Sequence, residues 1–391
     1  LDQFTQFHTP DASGNTAYLA QQVLRTVLLD DGSDDQNPTA VIGRDGQPLS
    51  ASNTLRGGDT VDDLSGVLDQ RFGTYRVQPT ANVDFDAVNE RSTTPPAVGG
   101  SIQVASFNVL NFFNGPGFPT ARGASTAAEL DRQLDKLVAA ITGVQAEVVG
   151  LLELENDGYG SDSAIATLVA ALNTKAGAGT WAFIDPGSAR LGGDEIAVGL
   201  IYQPGAVTPL GVAAVLDKSE DDRFNSDVQR PSLAQTFRTN DSGATFTPVI
   251  NHLKSKGSSA GADGDADSGD GQGLSNATRT AAAEALVDWL ATDPTGHGDS
   301  GYLILGDLNA YAQEDPLQAL EQGADDIDDT ADDFANLVAD TTYSYSFDGQ
   351  WGALDHALAN GTLSDLVAGA GKWHVNADEP TVLDYNTEFK S

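Results

Sequence analysis

From residue 101 onward the chain reads as short apolar runs separated by amphipathic segments of helix length, and that alternation leaves few architectures open. SIQVASFNVL, EVVGLLELE, IAVGLIYQP, TPVINHLKS, YLILGDLNA and ALDHALAN read as strands, because they are mostly apolar and are bounded by polar clusters. Between them, TAAELDRQLDKLVAAI puts Leu130, Leu134, Leu137, Val138 and Ile141 on one face of a helix. Thr126 and Glu129 have the spacing of a capping box, and Gly143 stops the helix. SAIATLVAALNTK and RTAAAEALVDWLA read as further helices. Strands apolar on both faces need cover on both, so the pattern suits a sheet with helices on each side.

The first part of the chain reads differently. RTVLLDDGSDDQNP is a β-branched strand running into a turn cluster, and TVDDLSGVLDQRFGTYRVQPT alternates apolar and polar residues around Gly73, as in a small barrel or sandwich. Paired prolines and paired glycines mark a linker. The expected organisation is a β-domain over residues 1–80, a linker over 81–100 and a main domain over 101–391. No internal repeat is present.

Acidic residues number 57 against 20 basic ones, a formal charge of −37. On a chain with this much apolar content the excess favours a strongly solvated surface over disorder, and it counts against broad electrostatic capture of nucleic acid. With no cysteine there is no disulfide framework and no thiolate zinc site. The chain starts Leu-Asp-Gln without an initiator or a leader pattern, so a processed or trimmed product is expected, and no apolar run is long enough to span a membrane. Two acidic stretches, GADGDADSGDGQG and ADDIDDTADDF, read as solvated loops. The first also has the oxygen-rich spacing of a calcium loop through Asp263, Asp265, Asp267 and Asp270, although no bidentate glutamate closes it as in an EF-hand.

Five apolar runs end in a polar residue that would be costly to bury unpaired: Asn108, Glu153, His252, Asp307 with Asn309, and Asp355. Each alone reads as a turn residue or a hydrogen-bonded structural group. Together they make a divalent-metal and acid/base set suited to phosphodiester hydrolysis. Asn108 and Glu153 supply the hard oxygens magnesium or calcium accepts, Asp307 orients or deprotonates a water, Asn309 donates to a phosphoryl oxygen, and His252 protonates or hydrogen-bonds an oxygen of the ester.

VASFNVLNFF, LLELEND, DEIAVGLIYQP, RPSLAQTF, NHLKSKGS, ILGDLNAYAQEDP and YSYSFDGQWGALDHALAN occur in the order seen in secreted bacterial nucleases of the endonuclease/exonuclease/phosphatase superfamily. The chain resembles the extracellular ExeM type in particular. The resemblance implies an α+β fold, a four-layer α/β-sandwich of two packed mixed sheets flanked by helices, preceded by a small OB-like β-domain to which RTVLLDDG and GTYRVQPT are similar. It implies Asn108 and Glu153 as metal ligands, with Glu155 in a supporting role. It implies His252, Asp307, Asn309 and Asp355 as catalytic residues, with Asp194 or Glu195 orienting His252. Arg230 matches an arginine near the substrate phosphate, its other reading being a surface ion pair. The family pattern ends in a Ser-Asp-His motif that is not found here; a trimmed sequence is the expectation, and His356 and His374 are not substitutes.

The implied function is a secreted nuclease using Mg2+ or Mn2+, with Ca2+ in the acidic loop, acting on extracellular DNA or RNA. Lys254 and Lys256 are its expected positive sites. A hydrolase of small phosphate esters and a non-catalytic cell-surface protein on the same fold are the other readings.

Overall fold

The computed structural model describes residues 1–33, 41–298, 301–338 and 343–386. The N-terminal part contains α1 (Phe4–Phe7), α2 (Ala12–Val23), β1 (Leu28–Leu29), β2 (Gly66–Arg71) and β3 (Thr74–Pro79). There follow β4 (Val104–Phe112), α3 (Ala127–Val144), β5 (Val148–Glu155), α4 (Ala164–Ala176), β6 (Ala182–Phe183), β7 (Ile196–Tyr202), β8 (Val207–Leu216), β9 (Ser232–Thr239) and β10 (Thr245–His252). The chain continues with α5 (Asn276–Ala291), β11 (Gly301–Asp307), α6 (Asp315–Glu321), β12 (Phe334–Asn336), β13 (Tyr345–Phe347), β14 (Gln350–Gly352), β15 (Asp355–Asn360) and α7 (Gly361–Ser364).

Two mixed sheets form the body, ordered β4-β5-β7-β6 and β12-β15-β11-β10-β9-β8. Three apolar layers hold it together. Leu137, Ile141, Leu168 and Leu172 of α3 and α4 pack on Val149 and Leu151 of the smaller sheet. Leu286 and Leu290 of α5, with Leu317 of α6, pack on Val249 and Ile304 of the larger. Val148, Leu152, Val198 and Leu200 meet Leu233, Phe237, Ile250 and Leu305 between the sheets. The layers are therefore helix, sheet, sheet, helix, because β5 and β10 are apolar on both faces. The capping box is formed: Thr126 accepts from Glu129 N–H and the Glu129 carboxylate accepts from Thr126 N–H.

At Gly150 a Cβ would lie 2.4 Å from Ile250 Cδ1, so a glycine on β5 lets the two sheets approach at this point. β8 and β9, which the sequence reading did not assign as strands, complete the larger sheet on its far side.

The OB-like domain is not shown over residues 1–80. Residues Ala12–Val23 are helical, with the Asp11 carboxylate accepting from Gly14 N–H as an N-cap. The strand expected in RTVLLDD shrinks to Leu28–Leu29, and β1, β3 and β2 make an open three-stranded sheet. Val67, Leu68, Phe72 and Tyr75 stay exposed, so no barrel interior closes around them. Instead this part packs on the main body. Thr5 Oγ1 donates to Glu314 Oε1 at 2.6 Å, Gln6 Oε1 accepts from Ala353 N–H at 2.7 Å, and the buried Arg56 guanidinium pairs with Asp378 at 2.6 Å. The segment expected to be a linker shares in this: Arg91 pairs with Glu379, and Asn89 Nδ2 donates to the Gly57 carbonyl. Among the described residues no helix is long and apolar enough to cross a membrane.

Candidate active site

Register alone brings three of the expected residues into a row. On parallel β10 and β11, His252 lies beside Asp307; on antiparallel β11 and β15, Asp307 lies beside Asp355. His252 Nε2 is 3.7 Å from Asp307 Oδ2. β11 ends at Asp307, and the chain then turns through Asn309 in the left-handed region (φ 50°). Asn309 is thus not on the strand as the spacing suggested. Its N–H donates to Asp307 Oδ1 at 2.9 Å, which leaves Oδ2 facing His252, and its Nδ2 donates to the Leu253 carbonyl at 3.1 Å.

The smaller sheet supplies the other side. β4 and β5 carry register irregularities over Asn108/Phe112 and Leu151/Leu154. Leu110, Asn111 and Glu153 there have φ of 55°, 50° and 62°. Bulges re-aim side chains, and left-handed non-glycine residues cost energy that the surroundings must hold. Here they turn Glu153 towards Asn108: Asn108 Nδ2 donates to Glu153 Oε1, and Asn111 N–H to Glu153 Oε2, both at 3.0 Å. Asn108, Glu153, His252, Asp307, Asn309 and Asp355 all line one cleft between the sheet ends.

Burial and the neighbouring Asp355 push the Asp307 carboxyl well above its usual range, with Glu153 adding to the effect. Burial also raises Asp355, against the hydrogen bond from Ser344. His252 is driven well below the usual imidazole range by burial, then by the Arg230 and Arg122 charges, so it is neutral at pH 7. Its Nδ1 is buried with no hydrogen-bond partner.

Carboxylates that raise one another's pKa in a buried cleft are short of positive charge, and an all-oxygen set of Asn108 and Glu153 fits a hard divalent cation. Among the described residues, the one group of three or more Asp, Glu or His with ligand atoms within 4.8 Å is Asp325, Asp332 and Asp333, elsewhere in the chain.

The structure also places the other expected residues. Arg230 is buried, so the surface ion pair is ruled out. Its Nη2 donates to the Leu253 carbonyl at 2.6 Å behind His252, and its Nη1 lies 3.9 Å from Asp194. Asp194 pairs with Arg122 at 3.2 Å, and neither Asp194 nor Glu195 is hydrogen-bonded to the His252 ring. Lys254 Nζ turns to Ser258, and Lys256 Nζ is locked on Glu314 and the Gln272 carbonyl. Burial brings the Lys256 amine down to about 8 despite that partner. Lys256 is thus neutralised by a carboxylate, whereas Lys254 bonds oxygens of Ser255 and Ser258.

The acidic loop does not gather Asp263, Asp265, Asp267 and Asp270 around one point. Asp265 is fully buried and accepts from Thr278 N–H and Oγ1 at the start of α5, while Asp267 and Asp270 accept from Gly269 N–H and Gln272 N–H. Hydrogen bonds from the chain itself thus hold Asp265, Asp267 and Asp270 in place.

His356 Nε2 bonds the Ala310 carbonyl at 2.9 Å, burial lowering its pKa to about 4, and His374 stacks on Tyr343 at 3.9 Å. Sequence reading missed Asn111, Ser344 and Arg122. Their roles depend on backbone geometry and long-range packing, and no local pattern signals them.

The sequence pattern of the Endonuclease/Exonuclease/phosphatase family matches residues 105–377. No curated protein sequence matches the chain. Similar solved structures include the human Nocturnin catalytic domain with bound sulfate, 17% identical, covering 66% of this chain and 83% of that one, TM-score 0.41. They include a Bacteroides thetaiotaomicron mannosyl-6-phosphatase, 10% identical over 67% of this chain and 86% of that one, TM-score 0.42. D. rerio TDP2 complexed with a single-strand DNA product is 12% identical over 66% and 83%, TM-score 0.40. With a match that runs from β4 past β15 and takes in both sides of the cleft, the chain belongs to the endonuclease/exonuclease/phosphatase family, whose members hydrolyse phosphate esters and generally use divalent metals.

Proposed function

We propose that this protein is a divalent-metal-dependent nuclease that hydrolyses phosphodiester bonds of DNA, and of RNA as a second substrate, outside the cell or at its surface. The observation that carries the reading is the two-sided cleft: Asn108 and Glu153 on one sheet end face His252, Asp307, Asn309 and Asp355 on the other. Asn108 and Glu153 would hold the cation, whose charge would offset that of the phosphate oxygens.

Asp307, with Oδ1 tied to Asn309 N–H, presents Oδ2 to hold the attacking water and take its proton. The water oxygen bonds to phosphorus, the opposite P–O bond breaks, the leaving oxygen takes a proton from solvent water, and Asp307 returns its proton to solvent. Neutral His252 donates one hydrogen bond, and Asn309 Nδ2 has a second hydrogen for the phosphoryl oxygen as negative charge grows there. Asp355 beside Asp307 keeps the row acidic, and Arg230 fixes the β10 end from behind.

The test is turnover of plasmid DNA and an RNA transcript with Mg2+ or Mn2+, against phosphate release from mononucleotides. Activity on nucleic acid that is lost in Glu153→Gln and Asp307→Asn supports the reading; unchanged activity in either variant overturns the site. One observation favours a second reading, hydrolysis of small phosphate esters: the chain carries −37, and Lys256 in the cleft wall is paired with Glu314. Phosphate release without polymer cleavage would establish it.

A further inference from the structure

We propose that the β13–β14 hairpin carries a stacking subsite for unpaired nucleobases, formed by Tyr345 and Phe347 and continuous with the cleft. The proposal rests on the nuclease reading and deepens it by naming a single-stranded substrate.

Tyr345 and Phe347 alternate on β13 and so share one face of the hairpin. Their rings lie 6.5 Å apart at an interplanar angle of 17°, and they are 45% and 55% exposed. The opposite face is sealed. Trp351, cross-strand partner of Ser346, stacks on Tyr343 at 4.5 Å, and its indole covers Gly57, where a Cβ would come within 2.9 Å of it. The outer edge is closed by the first residues of the chain. Trp351 N–H donates to the Leu1 carbonyl and Gln3 N–H to the Trp351 carbonyl, both at 2.8 Å, and Gln3 Nε2 donates to the Phe347 carbonyl. The hairpin is thus fixed from behind and from its edge, and its aromatic face is left open. That face runs into the catalytic cleft, which Tyr345 lines together with Asp307 and Asn309.

Charge decides the occupant. Capture of a duplex through its phosphates needs a basic stripe, and here the net charge is −37 while Lys256 in the cleft wall is paired with Glu314. Stacking needs only a π-face and tolerates any base, but the bases must be free of a duplex partner. Two near-parallel exposed rings at the mouth of a phosphodiester site meet that need.

The experiment compares a short oligothymidylate with a strand of equal length whose nucleotides lack bases, using Mg2+ or Mn2+. The wild-type chain should show kcat/KM about tenfold higher on the strand with bases, since stacking on an aromatic side chain contributes about 1–3 kcal/mol per base. Phe347→Ala and Tyr345→Ala should each bring that ratio towards one, and Phe347→Trp should keep it. Equal wild-type rates on the two strands would overturn the subsite and leave the nuclease reading standing. A loss on a blunt duplex as large as on the single strand would also overturn it, because the face would then be contacting backbone. Cleavage of neither strand, beside turnover of small phosphate esters, would remove the nuclease reading and the subsite together.

Discussion

Gly150 sets the distance between the two halves of the site, and Gly150→Ala tests that. The new methyl would sit 2.4 Å from Ile250 Cδ1, 3.0 Å from Cγ1 and 3.2 Å from Cγ2. Carbon atoms pack best at about 3.5–4.0 Å, so the sheets must part by roughly 1 Å here or Ile250 must leave its rotamer. Overpacking of this kind costs about 1–3 kcal/mol. Ile250→Val alone removes Cδ1 at a cost of about 0.5–1.5 kcal/mol. In the double variant the shortest clash has no partner left, so its destabilisation should fall short of the sum of the singles by about 1 kcal/mol, measured as urea midpoints at constant m. The functional consequence follows from the same contact. Glu153 lies beyond Gly150 on β5 and His252 beyond Ile250 on β10, so parting the sheets separates the two sides of the cleft. A misplacement of about 1 Å can lower turnover about a hundredfold, and Ile250→Val should restore much of what Gly150→Ala loses. Additive stabilities with no rescue of turnover would refute the reasoning, since the contact would then set neither packing nor spacing.

Three further outcomes are expected. Asp307→Asn should abolish turnover yet raise Tm at pH 7: the folded state holds the Asp307 proton more tightly than the unfolded state, so this group's destabilisation grows as pH rises above 3.8, and the gap to wild type should close as pH falls back to that value. Mg2+ should raise Tm more at about pH 8 than at about pH 5, because a cation on Asn108 and Glu153 would offset the like charge that, with burial, holds protons on Asp307 and Asp355; equal shifts in scanning fluorimetry would refute this. Arg56→Met should destabilise the chain by about 3 kcal/mol, since it leaves the buried Asp378 carboxylate without its cation, and limited proteolysis should then cut the first 90 residues faster; unchanged cleavage would show that the pair does not hold this segment down.

The rows of the larger sheet were legible because β10, β11 and β15 each end a continuous apolar run in one polar residue, and burial of the run fixes where that residue must emerge. The smaller sheet's side of the cleft was legible only as identities. Nothing in LLELE says that Glu153 takes a φ of 62°, or in FNVLN that a bulge turns Asn108 towards it, because those conformations are imposed by packing against the preferences of the residues themselves. Charge misled for a related reason. Lys256 looks free in KSKGS, but Glu314, on the far side of α5 in sequence, neutralises it, and Thr5 from the first turn of the chain bonds the same carboxylate. The N-terminal segment, whose alternation reads as a small barrel or sandwich, packs into the frame around the cleft. It closes the edge of the aromatic hairpin, bonds the chain just ahead of Asp355 through Gln6 and reaches α6 through Thr5. A segment with so little apolar cover of its own gains its order from the body it packs on, and in doing so fixes the loop that carries Tyr345 and Phe347.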